Sequence, residues 1–144
     1  MPGPLYCDTS ALAKLYVRER GSDEFNALVE ARTDVIVSEL TVTEMVSALA
    51  RRSREGALRP EAVRRIQQSV MERLGDGTYR HAELTTETHR RAEHLLLQLS
   101  EIPLRAADAL HLALAMSASA PSLASFDTRL ASAARAVGLA TYPA

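Results

Sequence analysis

Short apolar runs alternate with longer helical segments along almost the whole chain, and this alternation restricts the fold more than any other feature. Strand-like runs occupy residues 5–7, 34–37 and 123–126, with weaker candidates at 79–84 and 139–142. Apolar periodicity and capping residues predict helices at 10–20, 41–54, 60–74, 85–99, 105–119 and 128–137. The alternation indicates an α/β fold with a parallel sheet covered on both faces, because parallel strands need long crossover connections.

The sequence of 144 residues contains no internal repeat and no linker long enough to divide it. We therefore expect a single domain over residues 1–144. Hydrophobic residues make up 47% and charged residues 24%, which is typical of a soluble globular protein. Because the net charge is only −1, any attraction to nucleic acid must come from a local patch. The one cysteine, Cys7, excludes an intrachain disulfide.

The N-terminal segment does not have the composition of a signal peptide, because no basic region precedes an apolar core there. The most apolar stretch, residues 104–123, is interrupted by Arg105, Asp108 and His111. This stretch therefore predicts a buried helix rather than a membrane span. We expect a cytoplasmic protein with no membrane attachment.

Two aspartates follow strand-like runs and are the first indication of a functional site. Asp8 comes after residues 5–7, and Asp127 comes after the run at 123–126. In open parallel sheets, ligands bind beyond the carboxyl ends of the strands, so both aspartates should lie at one edge. Each could instead be the N-cap of the helix that follows, and Ser10 could cap the first helix in place of Asp8.

Asp108 is a charged residue in a helix that is apolar nearly all round, so it should be buried. A buried carboxylate is costly unless it is paired or bound to a metal, which favours a functional role. It could also complement the positive helix terminus or pair with Arg105. His111 lies on the same face and could orient a carboxylate, but we interpret it as a hydrogen-bonded core residue.

Glu44 has the weakest local signal of the candidate acids. The helix over residues 41–54 has an apolar stripe of Val42, Met45, Val46, Leu49 and Ala50. Glu44 lies about 200° from Val42 at ~100° per residue, so it points away from that stripe. It could lie on a solvated face or look into a cleft, and the pattern does not separate the two.

Taken together, four segments resemble the PIN-domain nucleases, and within them the VapC-type toxins of bacterial toxin–antitoxin pairs. The segments are residues 8–16, 38–44, 107–113 and 125–130. The resemblance runs over almost the whole chain, and the four segments occur in the family's order.

The resemblance implies a three-layer α/β/α sandwich around the parallel sheet. It also implies that four acidic residues meet at one catalytic and metal-binding site, with Ser10 as a supporting hydrogen-bonding residue: Asp8, Glu44, Asp108 and Asp127. Oxygen-only ligands favour Mg²⁺ or Mn²⁺ over zinc. The expected activity is metal-dependent hydrolysis of RNA phosphodiester bonds by an endoribonuclease, the toxin of a toxin–antitoxin pair.

The expected partners are RNA, a cognate antitoxin protein and a second copy of the chain in a homodimer. Residues 51–65 contain six arginines and two glutamates. Arginine suits phosphate because its planar fork binds two oxygens, so Arg51, Arg52 and Arg54 are candidates for RNA binding. A solvated helical face explains the same pattern equally well.

Three alternative functions remain open at this point. The chain could be an RNA-processing nuclease of the same fold that is not a toxin, or a non-catalytic scaffold that binds RNA or protein. A phosphatase-like domain is disfavoured, because the Asp-x-Asp signature is missing: Ser10 stands two residues after Asp8.

Overall fold

The computed structural model describes residues 1–144 and contains one five-stranded sheet. Its strands are β1 (Leu5–Cys7), β2 (Val35–Ser38), β3 (Arg80–Ala82), β4 (Ser122–Ala124) and β5 (Ala140–Tyr142). All neighbouring strands are parallel, and their order across the sheet is β3-β2-β1-β4-β5. The predicted parallel sheet is confirmed.

Seven helices connect the strands and cover the sheet. They are α1 (Thr9–Lys14), α2 (Ser22–Glu30), α3 (Glu39–Arg54), α4 (Pro60–Gly75), α5 (Thr86–Gln98), α6 (Ala106–Ser117) and α7 (Thr128–Ala136). None of them combines the length and the apolar composition that a membrane crossing requires.

Alternate residues of the central strands build two separate cores. Leu5 and Cys7 of β1 pack with residues of α1 to α4 on one face of the sheet. Tyr6, between them, packs with residues of α5, α6 and α7 on the other face. Successive side chains of a strand point to opposite faces, so both faces are buried. The predicted α/β/α sandwich is confirmed, with α1–α4 as one helical layer and α5–α7 as the other.

The strand order places a crevice between β1 and β4. From β1 the chain adds β2 and then β3 on one side, and later adds β4 and β5 on the other. The backbone N–H of Asp8, directly after β1, donates to the carbonyl of Ala124 at the end of β4 (3.2 Å). Ligands of open α/β sheets bind at such a switch point. The fold therefore predicts a binding site at the carboxyl ends of β1 and β4.

The predicted helix over residues 10–20 is wrong in its extent. Helix α1 already ends at Lys14, and a turn leads to α2, which the sequence analysis did not predict. Gly21 precedes α2 with a φ of +88°, a left-handed conformation that a continuous helix does not contain. The Ser22 hydroxyl closes the turn, because it accepts from the Glu19 N–H (3.0 Å).

Candidate active site

Each of the four predicted acidic residues comes from a different element, two from each helical layer. Asp8 is the N-cap of α1, Glu44 lies in α3, Asp108 in the first turn of α6, and Asp127 is the N-cap of α7. Contacts through Ser125 and Arg105 connect Asp8, Asp127 and Asp108, whereas Glu44 contacts Thr9 and His111.

Asp8 is buried, and both of its carboxylate oxygens accept hydrogen bonds. Oδ1 accepts from the Ser10 hydroxyl (2.7 Å) and the Ala11 N–H (2.9 Å), and Oδ2 accepts from the Ser125 hydroxyl (2.6 Å). Burial raises the pKa of Asp8, and the hydrogen bonds from Ser125 and Ser10 oppose that rise. Asp8, not Ser10, caps the helix; Ser10 instead supports the carboxylate. The alternative that Ser10 caps α1 was wrong.

Asp127 is joined to Asp8 through one hydroxyl group. Its Oδ1 caps α7 by accepting from the Arg129 N–H (2.9 Å), which confirms the predicted cap. Its own N–H donates to the Ser125 hydroxyl oxygen (3.1 Å), and that hydroxyl donates to Asp8. The ends of β1 and β4 therefore bring the two aspartates together.

Asp108 is nearly buried and is paired with Arg105. The Arg105 N–H donates to its Oδ2 (3.0 Å), and the Arg105 Nε lies 3.7 Å from the same oxygen. The Nη2 of Arg105 lies 3.7 Å from Oδ2 of Asp127. One guanidinium therefore faces two of the four carboxylates.

The Glu44 side chain contacts residues of α1 and α6 rather than pointing only into bulk solvent. Its Oε1 accepts from the Thr9 hydroxyl (2.8 Å) and lies 2.5 Å from His111 Nε2. The hydrogen bond from His111 is the main cause that lowers the pKa of Glu44, and the charge of Arg105 acts in the same direction. Glu44 is thus half-buried against Thr9 and His111, so it does not lie on a fully solvated face.

His111 is the end of a chain of buried hydroxyl groups. The Thr41 hydroxyl donates to the Cys7 carbonyl (3.2 Å) and lies 3.1 Å from the Ser38 hydroxyl. The Ser38 hydroxyl contacts the Tyr6 hydroxyl (2.9 Å), which in turn contacts His111 Nδ1 (2.8 Å). Each of these buried polar groups therefore has a hydrogen-bond partner.

His111 is buried and joins Tyr6 to Glu44 through its two ring nitrogens. Its Nδ1 contacts the Tyr6 hydroxyl, and its Nε2 contacts Oε1 of Glu44. The expected hydrogen-bonded core histidine is confirmed, and it is also a direct partner of Glu44.

The donor atoms suit a hard divalent cation, since all four acidic residues offer carboxylate oxygens. No three histidine, cysteine or acidic side chains are arranged to hold one metal ion together. The Arg105 guanidinium instead faces Asp108 and Asp127, and His111 contacts Glu44. A metal ion held by Asp108 and Asp127 would therefore displace the Arg105 guanidinium from them.

Sequence reasoning missed three residues that hold the acids in place: Tyr6, Thr9 and Ser125. Ser125 was detectable, because it stands two residues before Asp127 just as Ser10 stands two residues after Asp8. Thr9 and Tyr6 gave no such signal, since their partners lie 35 and 105 residues away.

The candidate RNA-binding arginines lie at the opposite end of α3 from its N-cap. Arg51, Arg52 and Arg54 follow Glu44 by about 10–15 Å along the helix axis, at ~1.5 Å per residue. Arg52 contacts Glu19 (3.3 Å), and the other two are exposed. Their role in RNA binding stays a prediction.

Comparison with known proteins identifies the family to which the chain is similar. The PIN domain family matches residues 5–136. Two Mycobacterium tuberculosis proteins, Ribonuclease VapC45 and Ribonuclease VapC49, are each 34% identical over 142 residues, covering 97% of this chain and 95% of theirs.

Solved structures share the fold. The crystal structure of Mycobacterium tuberculosis VapC20, a Sarcin-Ricin loop cleaving toxin, has a TM-score of 0.72 at 19% identity and covers 90% of this chain and 95% of its own. FitAcB from Neisseria gonorrhoeae has a TM-score of 0.68 at 18% identity, with 96% of each chain covered. By its sequence, its strand order and these relatives, the chain belongs to the PIN domain family.

Proposed function

We propose that the chain is a metal-dependent endoribonuclease that hydrolyses RNA phosphodiester bonds. The observation that carries the proposal is the set of contacts through Ser125 and Arg105 that joins Asp8, Asp127 and Asp108 at the ends of β1 and β4. Two relatives at 34% identity are named ribonucleases, which supports the same reaction. Asp8, Glu44, Asp108 and Asp127 are the proposed catalytic residues.

Mg²⁺ or Mn²⁺ is the proposed cofactor, with Asp8 and Asp108 as direct ligands and Glu44 and Asp127 completing the ligand set. Such an ion, when bound, supplies positive charge to a phosphate group and lowers the pKa of water. The chain's own contribution is orientation. Ser10 and Ser125 fix both oxygens of Asp8, and such fixed geometry reduces the freedom lost on reaction.

Cleavage of a labelled structured RNA, with Mn²⁺ and with chelator, tests this proposal. The wild type should cleave with Mn²⁺ and stop with chelator. Asp8→Asn should lose cleavage by about 100-fold or more, in line with the loss of a preorganised charged group. Its fold should persist, because the amide oxygen still caps α1 and Ser125 can accept from the amide nitrogen.

Asp23→Asn is a matched control, since Asp23 is an exposed carboxylate at the start of α2. It should cleave at the wild-type rate. Undiminished cleavage by Asp8→Asn would contradict the assignment and leave a non-catalytic scaffold as the better interpretation.

We further propose that the nuclease is a cytoplasmic toxin that forms a homodimer and is silenced by a cognate antitoxin protein. Expression of the wild type alone should arrest growth, and co-expression of the neighbouring gene should relieve the arrest. Asp8→Asn should not arrest growth. Light scattering of the purified protein should give twice the mass of the chain. An absence of arrest by active wild type would favour an RNA-processing role.

A further inference from the structure

Arg105 is held beside the acidic residues by its main chain, whereas its side chain is free to move. The Arg105 N–H donates to Asp108 (3.0 Å), which fixes the residue at the start of α6. Its side chain is 66% exposed, against 10% for Asp108 and 28% for Asp127. The guanidinium therefore lies on the solvent side of these carboxylates, where a substrate would approach.

The contacts of the guanidinium are loose. Both closest distances to carboxylate oxygens are 3.7 Å, longer than a hydrogen bond. The guanidinium itself is mostly exposed, so water screens its attraction to the two carboxylates. The donors of the guanidinium are thus available to a better partner at little cost.

We propose, resting on the nuclease function above, that Arg105 binds a phosphate group of the RNA at this site. We also propose that it competes with the divalent ion for Asp108 and Asp127. Four carboxylates repel a phosphate group, and Arg105 is the cation that faces two of them and lowers the pKa of a third, Glu44. A planar guanidinium matches two phosphate oxygens. A bound divalent ion and Arg105 repel each other, which drives the side chain from the carboxylates toward the substrate.

The two roles predict opposite effects of one substitution. Arg105→Gln removes the competing charge, so Mn²⁺ should bind about two- to tenfold more tightly, as expected for losing exposed pairs. The same variant loses a charge-assisted phosphate contact, so KM for an RNA oligonucleotide should rise about tenfold or more. If Arg105 only supported the fold, its substitution would weaken Mn²⁺ binding and RNA binding together.

Two further variants make the test specific. Arg105→Lys keeps the charge but loses the fork, so its Mn²⁺ affinity should stay near that of the wild type while KM rises in part. Arg129→Gln is the matched control, because Arg129 Nε approaches only Asp127 (3.9 Å) among the acidic residues. It should leave KM unchanged.

The measurements are calorimetric titration of the metal-free proteins with Mn²⁺ and steady-state cleavage of the oligonucleotide. Unchanged Mn²⁺ affinity and unchanged KM in Arg105→Gln would overturn the proposal, as would equal effects in Arg129→Gln. If the wild type cleaves no RNA, the proposed nuclease function is wrong, whereas the proposal for Arg105 remains testable. The Mn²⁺ titration and the anisotropy of labelled RNA in Mn²⁺ then still decide whether Arg105 has the two roles.

Discussion

At the scale of single residues, the buried hydroxyl chain from Thr41 to His111 connects the core to the acidic residues. Tyr6 is fully buried, and its hydroxyl group has partners on both sides. An unpaired buried polar group costs about 1–3 kcal/mol, so each member depends on its neighbours. The orientation of Glu44 therefore depends on side chains of the core that never reach the site.

A double-mutant cycle on Tyr6 and His111 tests this dependence. His111→Leu should lower the free energy of unfolding by about 1–3 kcal/mol, because it leaves the Tyr6 hydroxyl without one partner. Tyr6→Phe should cost about 1 kcal/mol. Because the two side chains share one hydrogen bond, the double variant should lose less than the sum, by at least about 0.5 kcal/mol. Urea denaturation measures all four proteins, and strict additivity would contradict the chain.

The lowered pKa of Glu44 gives a pH dependence of defined sign. Its pKa in the folded protein lies below the ordinary value of 4.5, so its contribution to stability is present above pH 4.5 and is lost as the pH falls further. Glu44→Gln should therefore be less stable than the wild type at pH 7, and the difference should shrink below pH 4.5.

Urea denaturation of both proteins at each pH isolates Glu44 from the other acidic residues. Asp8 contributes with the opposite sign, because burial raises its pKa and its charged form opposes folding. A difference between wild type and Glu44→Gln that stays constant from pH 7 to pH 3 would show that His111 does not stabilise the carboxylate.

The candidate acids show what local sequence can and cannot determine. Asp127 is predictable as a cap from its neighbours, but the cap uses only Oδ1, and nothing local shows that Oδ2 faces Arg105. For Glu44, the helical pattern identifies the side that faces the core of its own layer. The opposite side meets His111 from the other layer, so it is not simply the solvent side.

At the scale of elements, most helices were predicted well, but α1 and α2 were not. Helix α1 has only six residues, too few to show a repeat before the turn that follows. Helix α2 did carry a signal, since Phe25, Leu28 and Val29 have helical spacing and pack in one core. What the sequence pattern did not indicate was the left-handed conformation of Gly21, which separates the two helices.

Gly138 follows α7 in a left-handed conformation, and its substitution has a calculable effect. Its φ is +91°, its N–H donates to Arg135, and the next N–H donates to Ala134. Gly138→Ala should lower the free energy of unfolding by about 1–2 kcal/mol, the cost of that conformation for a side chain.

Gly75→Ala is the matched control, because Gly75 is the exposed last residue of α4 and has no positive φ. It should be neutral or stabilise the protein by up to about 1 kcal/mol, since alanine favours a helix. Thermal unfolding of both variants checks the contrast, and equal changes would contradict it.

At the scale of the whole molecule, the parallel sheet was predictable but its strand order was not. Alternation along the chain indicates crossovers, whereas the order β3-β2-β1-β4-β5 depends on pairing between distant segments, such as β1 with β4. The family resemblance supplied the three layers. It could not supply the contact of His111 with Glu44, which depends on how the two layers pack together.

Binding of the divalent ion should raise the melting temperature, because a ligand that binds only the folded state stabilises that state. Mn²⁺ at ~100 times its Kd should add about 2.7 kcal/mol to the free energy of unfolding. Asp108→Asn should melt at or above the wild type in chelator, since the amide oxygen still accepts from the Arg105 N–H, and should gain much less from Mn²⁺. Thermal scans of both proteins, each with chelator and with Mn²⁺, measure this. A full response of the variant would remove Asp108 from the ligand set.

The division of the four acids between the helical layers also has a consequence for inactivation. Asp8 and Glu44 belong to the layer of α1–α4, and Asp108 and Asp127 belong to that of α5–α7. A local opening that breaks the contact of Glu44 with His111 would separate Glu44 from the other layer without unfolding either core. Sub-global openings of this kind need less free energy than global unfolding. On heating, catalytic capacity should thus disappear while the far-ultraviolet circular dichroism is still native, and brief cooling should restore it.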